Sequence, residues 1–223
     1  MLLAGVFMRY THCIWDFNGT ILDDISAGIR AVNDLLSQRD LPQISGIEQY
    51  RNIFGFPVKN YYEALGFDFS KEPYDKIAHE WVALYLEYVK DCSLCYGVAK
   101  TMDRFNSCGL EQVLLSATER DMLEKQIEDL GLTDSFSEIL GLDNIYAVSK
   151  LTMACEWKKG KANMNAFMIG DTEHDCAVAS AMGVDCYLVC SGHQSRERLE
   201  KLGVPVFDDL LKLTEFLESN ELI

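Results

Sequence analysis

Residues 13–20 read Cys-Ile-Trp-Asp-Phe-Asn-Gly-Thr, and this stretch decides the fold. Its apolar run stops at Asp16 and the turn signal Asn18-Gly19 follows, so it predicts a buried strand with Asp16 at the carboxyl end. In open α/β sheets, ligands bind at that end of the strands. A carboxylate there can act as a metal ligand, a nucleophile or a general base. The alternative is an aspartate that makes a local hydrogen bond in a turn.

A second stretch repeats this design. Residues 167–170 read Phe-Met-Ile-Gly; Asp171 follows them directly, and Asp175 comes four residues later. The apolar run predicts another buried strand that ends in acids. Two strands are therefore expected to bring carboxylates to one edge of a sheet, which favours the functional interpretation of Asp16.

Size and charge limit the possible functions. The chain has 223 residues, 48% of them hydrophobic, and can bury a full core. Its net charge of −15 argues against nucleic-acid partners and anionic membrane surfaces, which require a basic face. An acidic protein can still bind a small phosphorylated metabolite if a metal ion and a lysine make the site locally positive. The sequence therefore predicts a cation-assisted site.

Other features bear on location and cysteine chemistry. No apolar stretch approaches the roughly 20 residues of a membrane span, and residues 1–8 lack a basic start typical of secretory signals. We therefore expect a cytoplasmic protein, with Met8 as an alternative start that leaves residues 1–7 in question. The eight scattered cysteines predict buried reduced thiols. Cys92 and Cys95 have the spacing of a zinc or redox half-site, but no second pair follows.

The chain divides into two patterns. Residues 25–90 show apolar residues at helical spacing without a strand signal, which predicts an inserted all-α cap domain over residues 23–95. Residues 1–22 and 96–223 form the predicted core, where strands alternate with helices. Such alternation predicts a Rossmann-like α/β fold, a parallel sheet with helices on both faces. The predicted core strands cover residues 12–15, 112–115, 138–140, 166–169, 186–189 and 206–207.

Residues that follow the predicted strands should converge, because parallel strands share one carboxyl edge. Asp16 and Asp171 are suited to hold Mg²⁺, which prefers carboxylate oxygens. Ser116 and Lys150 are suited to bind phosphate oxygens. Asp16 is then the natural nucleophile for phosphoryl transfer.

Four ordered segments resemble the motifs of the haloacid dehalogenase (HAD) superfamily. They are residues 16–20 (Asp-Phe-Asn-Gly-Thr), residues 114–116 (Leu-Leu-Ser), Lys150, and residues 170–175 (Gly-Asp-Thr-Glu-His-Asp). The nearest group is the phosphoglycolate phosphatase-like hydrolases with a helical cap. The resemblance implies a HAD-like fold and Mg²⁺-dependent hydrolysis of a small phosphomonoester through an aspartyl-phosphate.

The resemblance also implies roles for single residues. Asp16, the main-chain carbonyl of Asn18 and Asp171 would hold Mg²⁺, with Asp175 acting behind them or through water. Ser116 and Lys150 would grip the phosphoryl group, although Lys158, Lys159 and Lys161 are alternative lysines. The substrate-binding set predicted from these motifs and from the cap is Gly19, Thr20, Ala117, Arg51, Phe56 and Lys59.

Asn18 departs from the family pattern. Phosphatases of this superfamily usually have an aspartate there, which protonates the leaving oxygen and then activates water. An amide can do neither. Either Glu173, His174 or a cap residue supplies the proton, or the substrate has a good leaving group, or the protein binds phosphate and metal with weak or lost turnover. Carbon–halogen cleavage would not need Asp171, and carbon–phosphorus cleavage would need a cap lysine, for which only Lys59 is suitable.

The cap is expected to select the substrate. Residues 54–57 (Phe-Gly-Phe-Pro) break the helical pattern, and with Arg51 and Lys59 they form the predicted contact loop; the alternative is an ordinary interhelical turn with solvated basic residues. Residues 191–194 (Ser-Gly-His-Gln) follow a predicted strand and could approach the site, but they are interpreted first as a loop and helix cap. We expect a monomer or a weak homodimer. Five cap aromatics are predicted to form its core rather than to stack on a ligand, namely Tyr61, Tyr62, Trp81, Tyr85 and Tyr88.

Overall fold

A parallel sheet forms the centre of the protein. The computed structural model describes residues 9–161 and 164–223, and within them six parallel strands lie in the order β5-β4-β1-β6-β7-β8. The strands are β1 (His12–Trp15), β4 (Glu111–Glu119), β5 (Glu138–Leu142), β6 (Ala166–Gly170), β7 (Asp185–Val189) and β8 (Val206–Phe207). β1 lies between β4 and β6, so the residue that follows it is central on the carboxyl edge.

Helices cover both faces of this sheet. They are α5 (Val98–Ser107), α6 (Arg120–Asp129), α7 (Leu151–Lys158), α8 (Glu173–Met182), α9 (Arg196–Leu199) and α10 (Leu210–Ser219). β1 is buried on both sides: Trp15 packs with Phe105 and Leu213 on one face, and Ile14 with Val178 on the other. The sequence therefore predicted this fold correctly, although β4 runs four residues further than expected.

A group of helices lies above the carboxyl edge. These are α1 (Ile25–Ser37), α2 (Ile47–Ile53), α3 (Val58–Ala64) and α4 (Tyr74–Tyr88). They share their own apolar cluster, which includes Val32, Leu35, Tyr50, Tyr62 and Ile77. We call α1 to α4 the helical segment. The exact division at residues 22/23 and 95/96 stays a prediction.

A short antiparallel ribbon joins the helical segment to the core. β2 (Leu22–Asp23) pairs with β3 (Ser93–Leu94), where the chain enters and leaves the segment. The sequence pattern did not predict these two strands, because two residues are too few to show a period. The questions about Met8 and residues 1–7 lie outside the described residues. In the described parts of the chain, each helix is too short or too polar to span a bilayer.

Candidate active site

Asp16 directly follows β1 and is paired with Lys150. The Lys150 ammonium donates to Asp16 Oδ1, lies 2.8 Å from Asp175 Oδ1 and donates to the carbonyl of Leu115 over 3.0 Å. Lys150 precedes α7 as its N-cap and its side chain is only 1% exposed. The structure therefore brings Lys150 to the predicted nucleophile. Of the alternative lysines, Lys161 pairs with Glu138 instead.

Three buried carboxylates form a cluster at this edge. Oxygens of Asp16, Asp171 and Asp175 lie within 4.8 Å of one another. Asp175 is held by its own turn, since its Oδ2 accepts from the Thr172 amide over 3.0 Å and from the Thr172 hydroxyl over 2.7 Å. Because the other oxygen faces Lys150, Asp175 is suited to orient the cluster. Asp16 Oδ2 and Asp171 Oδ1 accept only long hydrogen bonds from the Thr20 hydroxyl, over 3.3 and 3.5 Å, so both oxygens can also face a cation.

The electrostatics of the cluster fit a bound cation. Burial and the nearby Asp175 raise the pKa of Asp16 to about 7, against the opposing charge of Lys150. Burial also raises the pKa of Asp171 well above its usual range. A positive ion between these two carboxylates would favour their ionised forms. Mg²⁺, which takes carboxylate oxygens and retains waters, suits this donor set.

Two glycines allow the backbone to approach Asp171. A Cβ on Gly19, which has φ +75°, would lie 2.3 Å from Asp171 Oδ2, and a Cβ on Gly192 would lie 2.1 Å from the same oxygen. Neither contact is possible for a real side chain. Glycine is therefore required at both positions, and it leaves the Asp171 carboxylate close to two backbone segments.

The side chain of Asn18 is hydrogen-bonded on both sides of its amide. Its Nδ2 donates to Asp24 Oδ2 over 2.8 Å and to the Tyr85 hydroxyl over 3.0 Å, and its Oδ1 accepts from the Thr118 hydroxyl over 2.8 Å. The hydroxyl of Ser116 donates in turn to Thr118 over 3.0 Å. The amide thus links the sheet edge to α4 of the helical segment.

His193 lies in the site, although the sequence interpretation treated it first as part of a loop and helix cap and left its approach to the site as the alternative. Its backbone N–H donates to Asp171 Oδ2, its Nε2 lies 3.2 Å from Asp24 Oδ1, and its Nδ1 lies 2.7 Å from the Tyr50 hydroxyl. Burial disfavours a charged ring, but Asp24 and the site aspartates raise its pKa to about 9. Its position after β7, at the carboxyl edge, was the available signal. The neighbouring Gln194 does cap α8, by accepting from the Glu173 amide over 2.8 Å.

A cavity of about 130 Å³ lies between the sheet edge and the helical segment. Phe56 lies in its wall and stacks on His174 with ring centroids 4.6 Å apart. Burial and Lys150 lower the pKa of His174 to about 4, so this ring is neutral at pH 7. The predicted site residues that reach the cavity wall are Asp16, Asn18, Phe56, Ser116, Ala117, Lys150, Asp171 and Asp175.

Other predicted residues lie outside the cavity wall. Lys59 is placed 5.3 Å over the ring of Phe69, so the structure does not bring it to Asp16. Arg51 donates to the carbonyl of Gly192 over 2.8 Å and so holds α2 against the core. Thr20 supports the cluster from beneath, with its hydroxyl 3.3 Å from Asp16 Oδ2.

Two further predicted residues, Gly19 and Glu173, are not part of the cavity wall. The backbone N–H of Gly19 donates to Asp24 Oδ1 over 3.1 Å. Glu173, a candidate for the missing acid, pairs with Arg198 over 2.9 Å. Of the acid candidates named from the motif, only His174 reaches the cavity wall.

A family comparison agrees with this geometry. The model of the haloacid dehalogenase-like hydrolases matches residues 13–189, which include both acid-bearing strands and Lys150. The chain belongs to this family. This confirms the resemblance found in the motifs, and the chain is therefore an enzyme of the hydrolase class.

Similar proteins cover most of the chain. A phosphoglycolate phosphatase from Rhodobacter capsulatus is 24% identical over 186 residues, which are 81% of this chain and 84% of that protein. One from Pseudomonas savastanoi pv. phaseolicola is 25% identical and covers 95% of this chain and 80% of its own length. The chain is thus similar to phosphoglycolate phosphatases over both the core and the helical segment.

Solved structures confirm the fold. A haloacid dehalogenase-like family protein from Streptococcus pneumoniae aligns with a TM-score of 0.73 at 17% identity, covering 93% of this chain and 98% of that one. Protein Tyrosine Kinase A from Mycobacterium tuberculosis aligns with a TM-score of 0.78 at 19% identity, covering 94% and 98%. The names of these two proteins differ in the reaction they state. The fold alone therefore does not assign the reaction.

Proposed function

We propose that this hydrolase cleaves a small phosphomonoester, with Asp16 as the nucleophile and Mg²⁺ as the cofactor. The observation that carries the proposal is the contact of Asp16 with Lys150 beside Asp171, at the central carboxyl edge of the sheet. The phosphatase names of the relatives support the same reaction class.

The metal-binding roles are part of the proposal. The side chains of Asp16 and Asp171 and the main-chain carbonyl of Asn18 would hold Mg²⁺, with Asp175 holding its neighbours in place. Bound Mg²⁺ supplies positive charge that offsets the charge of the phosphoryl group. Lys150 adds a second, protein-borne positive charge beside Asp16.

The chain's own residues would carry two displacement steps. Asp16 attacks phosphorus, the ester P–O bond breaks, and the leaving alkoxide takes a proton from water to depart as the alcohol. Water then attacks the phosphorus of the aspartyl-phosphate, which releases inorganic phosphate and restores the Asp16 carboxylate. Ser116 and Lys150 would bind phosphoryl oxygens, and Gly19, Thr20 and Ala117 would support that site.

Asn18 limits the first step, because its amide cannot protonate the leaving oxygen. Loss of a general acid costs on the order of 10²–10⁴-fold in rate. This motivates a second candidate function, a protein that binds metal and phosphate with weak or lost turnover. We further propose, from the sequence, a cap over residues 23–95 that selects the substrate, a cytoplasmic location and a monomeric or weakly dimeric state.

Phosphate release from a panel of small phosphomonoesters with Mg²⁺ tests the proposal. Turnover should disappear in Asp16→Asn, persist in the exposed control Asp23→Asn, and be lost with a chelator and restored by Mg²⁺. Binding of Mg²⁺ and phosphate without turnover of any ester would favour the binding protein. Turnover that survives Asp16→Asn would exclude the proposed nucleophile.

A further inference from the structure

The wall of the cavity that faces the sheet edge is aromatic. The helical segment contributes Tyr50, Phe54, Phe56, Tyr61, Trp81 and Tyr85 to it. Phe54, Phe56 and Trp81 are only half-buried, so part of each ring remains accessible. Ring surface that a ligand can cover is the main source of binding energy in such cavities. The wall therefore offers apolar contact to whatever group is esterified to the phosphate.

No unpaired cation is available in this wall among the described residues. Lys150 is the lysine that reaches it, and it is shared between Asp16, Asp175 and the carbonyl of Leu115. The two wall histidines are committed as well, since His193 pairs with Asp24 and His174 is stacked on Phe56. Residues 1–8 and 162–163, which the structure does not describe, contain neither lysine nor arginine.

The basic residues of the neighbouring loop are also engaged elsewhere. Arg51 donates to the carbonyls of Ser191 and Gly192, and Arg198 donates to the carbonyl of Phe54 over 2.7 Å. A second anionic group on the substrate, such as a carboxylate, would thus be buried among aromatic rings without a cationic partner. Burying an unpaired charge in such surroundings is strongly unfavourable.

The size of the cavity limits the group that it can hold. Its volume of about 130 Å³ is close to the roughly 150 Å³ of an engineered apolar cavity that holds one benzene molecule. Asp16, Ser116 and Lys150 line the same cavity, so the phosphoryl group shares this space and the organic part can be no larger than one ring. Among the described residues, the hydroxyl of Tyr61 is buried in this wall without a hydrogen-bond partner. Buried polar groups normally have partners, so we expect a water molecule to bind this hydroxyl beside the apolar group.

We propose that the substrate is a phosphomonoester whose organic part is one uncharged, ring-sized apolar group, held by Phe54, Phe56 and Trp81. This rests on the proposed phosphatase function and names its substrate class. The proposed substrate differs from phosphoglycolate, the carboxylate-bearing compound in the names of the relatives.

The test compares three esters: benzyl phosphate, ethyl phosphate and phosphoglycolate. Because all three release a primary alcohol, the comparison separates effects of substrate binding from effects of the leaving group. With Mg²⁺, kcat/KM should be at least about tenfold higher for benzyl phosphate than for ethyl phosphate, and lowest for phosphoglycolate. Phe56→Ala should reduce the benzyl-to-ethyl ratio about tenfold, and Phe56→Arg should raise phosphoglycolate relative to benzyl phosphate. Equal or better turnover of phosphoglycolate by the wild type would overturn the proposal.

A binding measurement decides the same point without turnover. Trp81 lies in the wall, so tryptophan fluorescence should report benzylphosphonate binding with Mg²⁺, and Trp81→Phe should abolish the signal. Benzylphosphonate should bind at least about tenfold more tightly than phosphonoacetate. Equal affinities, tighter phosphonoacetate or no binding of either would refute the ring-sized substrate. Absence of turnover with all three esters, together with preferred benzylphosphonate binding, would refute only the proposed phosphatase activity.

Discussion

The side-chain amide of Asn18 donates a hydrogen bond to the carboxylate of Asp24 over 2.8 Å. The two residues face each other at the point where β1 leads into the helical segment. Asp24 also lies 3.2 Å from His193 Nε2, and this partner holds the pKa of Asp24 below its usual range despite burial. An ionised Asp24 accounts for an amide, rather than a second carboxylate, at position 18.

Asn18→Asp should therefore destabilise the protein. At pH 7 it places two buried carboxylates at hydrogen-bond distance, and we expect the free energy of unfolding to fall by about 1–3 kcal/mol. Adding Asp24→Asn exchanges the two partners, so the double variant should be more stable than the sum of the single changes predicts. Urea unfolding of the four proteins measures this coupling. Strict additivity would show that the contact between Asn18 and Asp24 has no energetic weight.

Gly192→Ala should displace Asp171. The added methyl carbon would lie 2.1 Å from its Oδ2, so the carboxylate or the loop must move. A displacement of about 1 Å at a reacting centre can cost on the order of 10²-fold in rate, and we expect a loss of that size in kcat/KM together with weaker Mg²⁺ binding. Gly160→Ala is the matched control, because its Cβ meets no atom within 4 Å. Full activity in Gly192→Ala would contradict the tight approach to Asp171.

Lys150→Met tests whether Lys150, rather than a lysine near the end of α7, is the cation that pairs with Asp16. The change leaves the buried carboxylates of Asp16 and Asp175 without their cation, which typically costs 3–5 kcal/mol. We expect a decrease of about this size in the free energy of unfolding, and loss of turnover. Lys159→Met, on an exposed side chain, should change stability by less than about 0.5 kcal/mol. Similar effects of the two substitutions would remove the special role of Lys150.

An ion pair in the helical segment should make stability depend on pH. Hydrogen bonds from Arg39 and Lys76 lower the pKa of Glu72 from 4.5 to about 2. A lowered pKa in the folded state stabilises the fold above pH 4.5, and this contribution is lost as the pH falls towards 2. After screening by solvent, we expect Glu72→Gln to cost about 1 kcal/mol at pH 7 and little near pH 2. A cost that is independent of pH would exclude this cause.

Local pattern was sufficient for part of the site. Asp16 and Asp171 follow apolar runs directly, and the parallel order of β1 and β6 places such residues side by side. Lys150 was harder to choose among several lysines, because position before a helix does not specify where a long side chain ends. Its contact with Asp16 spans 134 positions of sequence, which no local pattern encodes.

Contacts between the helical segment and the core could not be predicted in this way. His193 and Asp24 are 169 positions apart, and His193 and Tyr50 are 143 apart. The contact loop was predicted near Phe56, which does reach the cavity, but its neighbour Lys59 faces Phe69 instead. Residues three positions apart can face different surroundings once a helix starts between them. The cap aromatics were predicted as core, and Tyr61, Tyr62, Trp81 and Tyr85 also line the cavity.

The ribbon of β2 and β3 has a consequence for how such a protein can diversify. Because Leu22 pairs with Leu94, the two ends of the helical segment lie side by side, and the segment is attached at a single place. Its sequence can therefore be exchanged as one unit without shifting the strands of the sheet or the carboxylates that follow them. The helical segment carries the groups that would contact the organic part of a substrate, and the core carries Asp16 and Asp171. Chimaeras that swap residues 24–91 between relatives would transfer substrate preference where the incoming segment keeps the contacts of Asp24 with Asn18 and His193.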